Sequence, residues 1–235
     1  MPLLRRTTAG TTDLRDKPAY SLSEAARYIK LPSATLRTWC LGRDYGTSKG
    51  TKRWAALVSP ASTRPPLLSF WNLIEAHVLR GLRTEHGVSV KAVRQALSFA
   101  EAELQVQRLL LSRELTTTAG RLFIDRYGQL IDLSASGQIA LRQMVENHLR
   151  RVEWDDWKFP VRLYPFLSSG TPSADRPIAI DPTVAFGRPV ILRKGVTTAV
   201  IAERIDAGET EEELAADYDL TTDDIRQAIL YERAA

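Results

Sequence analysis

Residues 20–39 constrain the fold more than any other stretch, because they carry a capped helix, a turn and a second helix whose apolar positions fit together. Ser21 and Glu24 stand at the S-x-x-E spacing of a capping box, in which each side chain satisfies the other residue's backbone N–H, so a helix starts there. Leu22, Ala25, Ala26 and Ile29 form its apolar face, and the two alanines are small enough to let a second helix cross closely. Lys30-Leu31-Pro32 is the turn, with Leu31 directed to the core, and Ser33 is expected to cap the second helix. In that helix Leu36 and Trp39 or Cys40 are the inward positions, which leaves Ala34, Thr35, Arg37 and Thr38 outward. This is the helix-turn-helix arrangement whose second helix enters a major groove. Arginine suits guanine O6/N7 or a phosphate, and threonine a base edge or a phosphate. A plain αα-hairpin packed on protein alone would carry the same apolar pattern.

The pattern returns near the other end. A shift of 189 residues brings Glu24, Ala26, Leu31 and Arg37 onto Glu213, Ala215, Leu220 and Arg226, and Leu36 onto Ile225. Thr210 and Glu213 repeat the capping box. The second helix of this copy carries Asp223 and Asp224 and follows Asp217 and Asp219, carboxylates that phosphates would repel. The tail is therefore expected to have a helix-turn-helix shape used for protein contact, with an ordinary three-helix packing unit as the alternative.

Charge separates the two copies. The formal net of +4 comprises 16 Lys/Arg against 6 Asp/Glu over residues 1–94, a net of +10, and 3 against 11 over residues 197–235, a net of −8. A basic half is the footprint of a nucleic-acid binder. Arg43, Lys49, Lys52 and Arg53 around Gly46 and Gly50, followed by Trp54-Ala55-Ala56-Leu57-Val58, read as a glycine-bent basic wing whose cations neutralise phosphates. The split predicts that the DNA-facing and protein-facing ends are different domains.

Between them, Phe70, Leu73, Ile74, His77 and Val78 recur at helical spacing after Ser69. Gly87 is expected to end that helix and Ser89 to cap the next, on which Val90, Val93, Leu97, Ala100 and Leu104 continue the spacing. Residues 115–118, 122–125 and 130–133 read as strands of a small antiparallel meander with turns at Ala119-Gly120 and Tyr127-Gly128. A helix is expected after Gly137, and short extended runs at 178–180 and 189–192 flank a Phe186-Gly187-Arg188-Pro189 turn.

Several classes are excluded. One cysteine, Cys40, rules out an intramolecular disulfide framework and a Cys-rich zinc site, and the three histidines lack metal-ligand spacing, so no metal or cofactor is expected. Cys40 reads as a small core residue. Gly46 through Thr51 does not complete a phosphate-binding loop, and no nucleophile elbow appears, so no enzyme is expected. No apolar run approaches the length of a membrane span, and Met-Pro-Leu-Leu-Arg-Arg lacks a signal core, so a cytoplasmic location is expected.

Tyr20 to Trp39, the basic loop, Leu68-Ser69-Phe70-Trp71-Asn72-Leu73-Ile74-Glu75-Ala76 and residues 88–97 together resemble the winged DNA-binding head of MerR-type regulators. The tail resembles the small helical domain of VapB-type antitoxins, on Ile180-Asp181-Pro182, Phe186-Gly187-Arg188-Pro189-Val190-Ile191, residues 200–209, Asp217-Tyr218 and Ile225. Composition reads residues 1–19, without period and rich in small polar residues, as a flexible arm, disordered or loosely docked, and residues 168–177 as a linker. The resemblance implies a mainly α fold with small β elements, in which a MerR-like winged helix-turn-helix head (20–108) and a C-terminal three-helix domain (178–235) flank the β-meander plus helix (109–167). It implies a type II antitoxin that silences a cognate toxin, commonly a PIN-like ribonuclease, and represses its own operon by binding operator DNA. Thr35, Arg37, Thr38, Arg43, Lys49, Lys52 and Arg53 are the expected DNA contacts. Arg193 and Lys194 are expected to reach acidic toxin residues, since opposite charges attract. A helix over Val90–Leu104 that pairs across a two-fold would make a homodimer with heads on adjacent half-sites. The alternative is a MerR-type effector-responsive regulator without a toxin, and a short acidic neighbouring reading frame would favour the antitoxin.

Overall fold

In the computed structural model, which describes residues 13–48, 50–84, 90–105, 108–111, 123–126, 129, 135–165 and 176–234, the capping box at Ser21 forms. The Glu24 N–H donates to Ser21 Oγ (3.2 Å) and the Ser21 N–H to the Glu24 carboxylate (2.9 Å). These bonds start α1 (Leu22–Tyr28), just after the two-residue strand β1 (Tyr20–Ser21). Past α1 the chain turns through a left-handed residue, Lys30 (φ 53°), and the Leu31 N–H bonds back to the Ala26 carbonyl (2.9 Å). That closure carries Leu31 into the core. α2 (Ser33–Leu41) follows, with Pro32 rather than Ser33 at its N-cap and no side chain capping it. The Pro32 carbonyl accepts from the Thr35 and Leu36 N–H groups (2.9 and 3.2 Å), so Ser33 already stands in the first turn. Ala25 and Ala26 of α1 and Leu36, Trp39 and Cys40 of α2 are all buried. Burial pushes the Cys40 thiol up to about 12, with Glu75 adding to it, in keeping with a packing role.

A two-stranded antiparallel hairpin, β2 (Arg43–Thr47) and β3 (Gly50–Trp54), springs directly from α2. Gly42 makes this junction with φ 75°, and a Cβ there would lie 2.3 Å from the Trp54 carbonyl oxygen. Only glycine allows that approach. β4 (Ser62–Thr63) and β5 (Pro66–Leu68) return the chain to β1 in a three-stranded sheet of order β1-β5-β4. Then come α3 (Phe70–Thr84), whose Phe70, Leu73, Ile74, His77 and Val78 are buried, and α4 (Val90–Leu104). The expected stop at Gly87 and cap at Ser89 lie outside the described residues.

The middle region departs from a meander. Of the run 122–125, expected as a strand, residues 123–125 are helical, as is Arg126, and Phe123 and Ile124 are buried; Leu122 lies outside the described residues. A short apolar run has no period that separates a buried strand from a buried helical turn, which is why the pattern misled. The expected strands at 115–118 and 130–133 and both turns lie outside the described residues. α5 (Ala135–Leu149) begins before Gly137 and lies against α3.

A five-stranded antiparallel sheet of order β10-β9-β8-β7-β6 then spans the middle and the tail. It comprises β6 (Val152–Trp154), β7 (Pro160–Leu163), β8 (Ile178–Ile180), β9 (Pro189–Ile191) and β10 (Val196–Thr197). Its central pairing sets Leu163 opposite Ile180, so the sheet bridges the stretch expected as a linker, of which residues 168–175 lie outside the described residues. Three helices follow: α6 (Thr198–Asp206), α7 (Glu211–Tyr218) and α8 (Thr222–Arg233). Capping boxes form at Thr210/Glu213 and at Thr221/Asp224. Asp219 is left-handed (φ 52°) and the Leu220 N–H reaches the Ala215 carbonyl at 2.9 Å. The positions correspond to Lys30, Leu31 and Ala26 at the 189-residue offset, so the sequence echo is a backbone echo.

Head and tail are in contact. The buried Tyr231 hydroxyl of α8 donates to the Tyr28 carbonyl at the end of α1 (2.8 Å), and the Lys30 ammonium sits 3.9 Å above the Tyr231 ring. The arm was expected to be flexible; its residues 1–12 lie outside the described ones, but Leu14–Asp16 form a helical turn. Arg15 there donates to Asp155 (2.7 Å) and lies over Trp71 and Phe159, whose rings stack at 5.4 Å. An ion pair and two aromatic faces thus tie down the end of the arm.

His77 of α3 is fully buried beside His148 of α5, with ring centroids 5.2 Å apart. Burial, reinforced by the neighbouring His148, holds its pKa well below the usual histidine value. The unfolded chain takes up a proton near pH 6.5 that folded His77 refuses, so stability is full above that pH and falls as pH drops below it. Unfolding free energies from urea titrations should show no contribution from this group above about pH 7 and lose up to about 1.4 kcal/mol per pH unit from it below roughly 6.5. A His77→Asn variant should show a shallower acid limb; an equally steep one would refute the assignment.

Candidate nucleic-acid interface

α2 presents Arg37 to solvent with Thr35 half-buried beside it, while Leu36, Trp39 and Cys40 anchor the opposite face. Thr38 is half-buried, and its hydroxyl donates to the Ala34 carbonyl (2.9 Å). With its only proton used inside the helix, Thr38 offers lone pairs, which suit a base amino group better than a phosphate oxygen. Arg37 is thus the fully exposed cation on the outward face of α2 among the expected contacts.

The hairpin divides the other expected contacts between two faces. Opposed residues share a face, so Arg43 with Trp54 and Tyr45 with Lys52 lie on one side, and Asp44 with Arg53 on the other. Tyr45 leans on Trp54 with centroids 4.8 Å apart, giving the Arg43/Lys52 side an aromatic floor under two exposed cations. Arg53 is engaged within the protein: it donates to Asp44 (3.1 Å) and to the Leu41 carbonyl (2.6 Å). Its charge serves first to fasten the hairpin to the end of α2. Lys49 lies outside the described residues. Tyr45 was not singled out in the sequence; the alternation of Arg43 and Tyr45 against Lys52 and Trp54 across two glycines is the signal that identifies it.

Beneath this surface α3 is held by a buried polar cluster. Asn72 Oδ1 accepts from the backbone N–H groups of Ala61 and Ser69 (3.0 and 3.1 Å), and its Nδ2 donates to the Ser59 carbonyl and to Glu75 (2.9 Å each). Glu75 in turn receives two parallel bonds from Arg108 (2.8 and 2.9 Å), and Arg108 also reaches Asp16 (3.2 Å). Arg94 of α4 donates to the Ala55 carbonyl (2.6 Å), linking α4 to the segment after β3.

In the tail, the two expected toxin contacts are occupied by the tail's own carboxylates. Arg193 lies 3.5 Å from Asp224, and Lys194 bonds Asp219, whose carboxyl it holds below the usual range. Both left-handed turns are therefore close to cations, Lys30 in the head and Lys194 in the tail. The Ser21 hydroxyl and backbone hold the Glu24 carboxyl low, and the charges of Arg27 and Arg188 add to that effect, so the tail's Arg188 lies near α1. Among the described residues no cluster of His, Cys, Asp and Glu could hold a metal ion, and no helix is long and apolar enough to cross a membrane.

Two family models match parts of the chain. Residues 18–97 match a "Putative DNA-binding HTH domain", and residues 178–231 match a "Protein of unknown function (DUF433)". Over 234 residues the chain is 29% identical to "Putative antitoxin VapB45" of Mycobacterium tuberculosis, covering 91% of this chain and 93% of that one. It is 24% identical over 243 residues to "Uncharacterized protein Rv2308" of the same organism, covering 96% and 94%. The crystal structure of Rv2018 from M. tuberculosis superposes with a TM-score of 0.65 at 23% identity over 90% of this chain and 97% of that one, a likeness of fold. The helix-turn-helix of α1 and α2 falls inside the stretch matched by that first family model, and the likeness to VapB45 runs through head and tail together.

Proposed function

We propose that this chain is a DNA-binding antitoxin of a type II toxin–antitoxin system. The head binds operator DNA and represses its own operon, and the tail binds and neutralises a cognate toxin, a PIN-like ribonuclease. The observation that carries the reading is α2. It is an exposed helix with Arg37 at its centre, followed at once by the Arg43/Lys52 face of the hairpin, in a chain whose relative along nearly all its length is named an antitoxin. In this reading α2 enters the major groove as in MerR-type heads and the hairpin is the wing, its Arg43 and Lys52 on phosphates. A homodimer places two heads on half-sites about one helical turn apart.

The test is binding to the DNA upstream of the chain's own reading frame over a range of salt. Lys52→Ala should weaken binding and lower the salt slope by about one phosphate's worth. Arg53→Ala should change the slope less, because Asp44 and the Leu41 carbonyl already hold that guanidinium. Equal losses for the two variants would contradict the division of the hairpin into faces, and a wild-type chain that ignores this DNA would refute the DNA-binding role.

A further inference from the structure

Phe186 is 91% exposed, the most exposed of the large apolar side chains among the described residues. It sits in the tight turn between β8 and β9, where Ala185, Phe186 and Gly187 are all left-handed (φ 47°, 57° and 74°). Each of the first two carries a Cβ, which makes that conformation costly, and such strain persists only where the surroundings fix it. Here they do: the Gly187 N–H bonds the Val184 carbonyl (2.9 Å), and Gly187 lies so close under Tyr20 of the head that a Cβ would come within 2.1 Å of its hydroxyl. The turn is thus a rigid mount that holds an aromatic ring in water. Arg188 follows directly on the turn and is exposed; its charge, with that of the exposed Arg27 on the neighbouring α1, acts on the Glu24 carboxylate.

We infer that Phe186 is the anchor through which this chain grips its protein partner, its ring filling an apolar pocket whose rim carries carboxylates that face Arg188 and Arg27. This rests on the antitoxin reading, and the partner is the toxin. A pre-mounted aromatic beside arginine has the composition of an interface hot spot and loses little freedom on binding. The expected contacts Arg193 and Lys194 are in direct ion pairs with Asp224 and Asp219.

The experiment compares wild-type chain, Phe186→Ala and Phe186→Leu, each full length, for affinity to the product of the adjacent toxin reading frame, with upstream DNA affinity, thermal midpoint and oligomeric state measured in parallel. Phe186→Ala should weaken toxin binding about 30-fold or more, the range of a hot-spot truncation. Phe186→Leu should lose less, and the other three properties should stay at wild-type values because the ring touches little of its own fold. Unchanged toxin affinity in Phe186→Ala would overturn the inference while leaving the antitoxin reading intact. A loss confined to DNA binding, or dissociation of a dimer, would reassign the ring to a base stack or to a second copy. A wild-type chain that binds no toxin would remove the reading on which the inference rests.

Discussion

Replacing Arg37 by alanine is expected to weaken binding to upstream DNA by roughly five- to 150-fold, the equivalent of about 1–3 kcal/mol for one bidentate base contact. The expectation follows from placement. Arg37 is exposed on the outward face of α2, whereas Leu36, Trp39 and Cys40 on either side of it in sequence are buried and set the roll of the helix. Truncation therefore removes a ligand group and leaves the support untouched, so the thermal midpoint should not move. If Arg37 reads a guanine, the loss is greater on the operator than on unrelated DNA. A uniform loss would make it a phosphate contact. Wild-type affinity in Arg37→Ala would show that α2 does not face the groove.

The largest effect on stability is expected at Glu75. Its side chain is 7% exposed, receives both bonds of the Arg108 fork, and accepts from Asn72. Glu75→Ala leaves the Arg108 guanidinium with Asp16 alone, at the rim. Breaking a buried pair from one side costs about 3–5 kcal/mol, because the remaining charge stays desolvated. At this chain length that corresponds to roughly 6–20 °C in thermal midpoint. The double variant Glu75→Ala/Arg108→Ala should recover part of the loss, since no charge is then stranded. Additive losses would show that the pair is not energetically coupled. Because Asn72 holds the segment before α3 through Ser59 and Ala61, DNA affinity should fall along with stability in the single variant.

What the sequence disclosed, and what it hid, follows from the range of the interactions. The capping boxes at Ser21 and Thr210 and the buried positions of α1, α2 and α3 are set by neighbours within about one helical turn, and local spacing carries them. The 189-residue echo was legible for the same reason, and the structure adds the left-handed backbone at Lys30 and Asp219. β6 and β7 were not legible: three- and four-residue strands, they are recognisable only through pairing with each other and with β8. The helical 123–126 run was misread because it is too short to show a period. At the candidate site, the pairings of the expected residues were not legible. Asp44 and Leu41 claim Arg53, Ala34 claims the Thr38 proton, and Asp224 and Asp219 lie against Arg193 and Lys194, and only Asp44 shows this in a hairpin register. The charge split of +10 and −8 marked two different surfaces but gave no hint of the Tyr231–Tyr28 bond between them or of the sheet that joins the middle region to the tail.

The central claim is that one chain carries both an operator-binding head and a toxin-binding tail. Its most direct test is to co-express the full chain with the product of the adjacent reading frame and follow the purified material by gel filtration on and off upstream DNA. The account predicts a single complex of both proteins, lacking ribonuclease activity, that shifts the DNA. A chain that elutes alone, with the neighbouring product still active beside it, would contradict it.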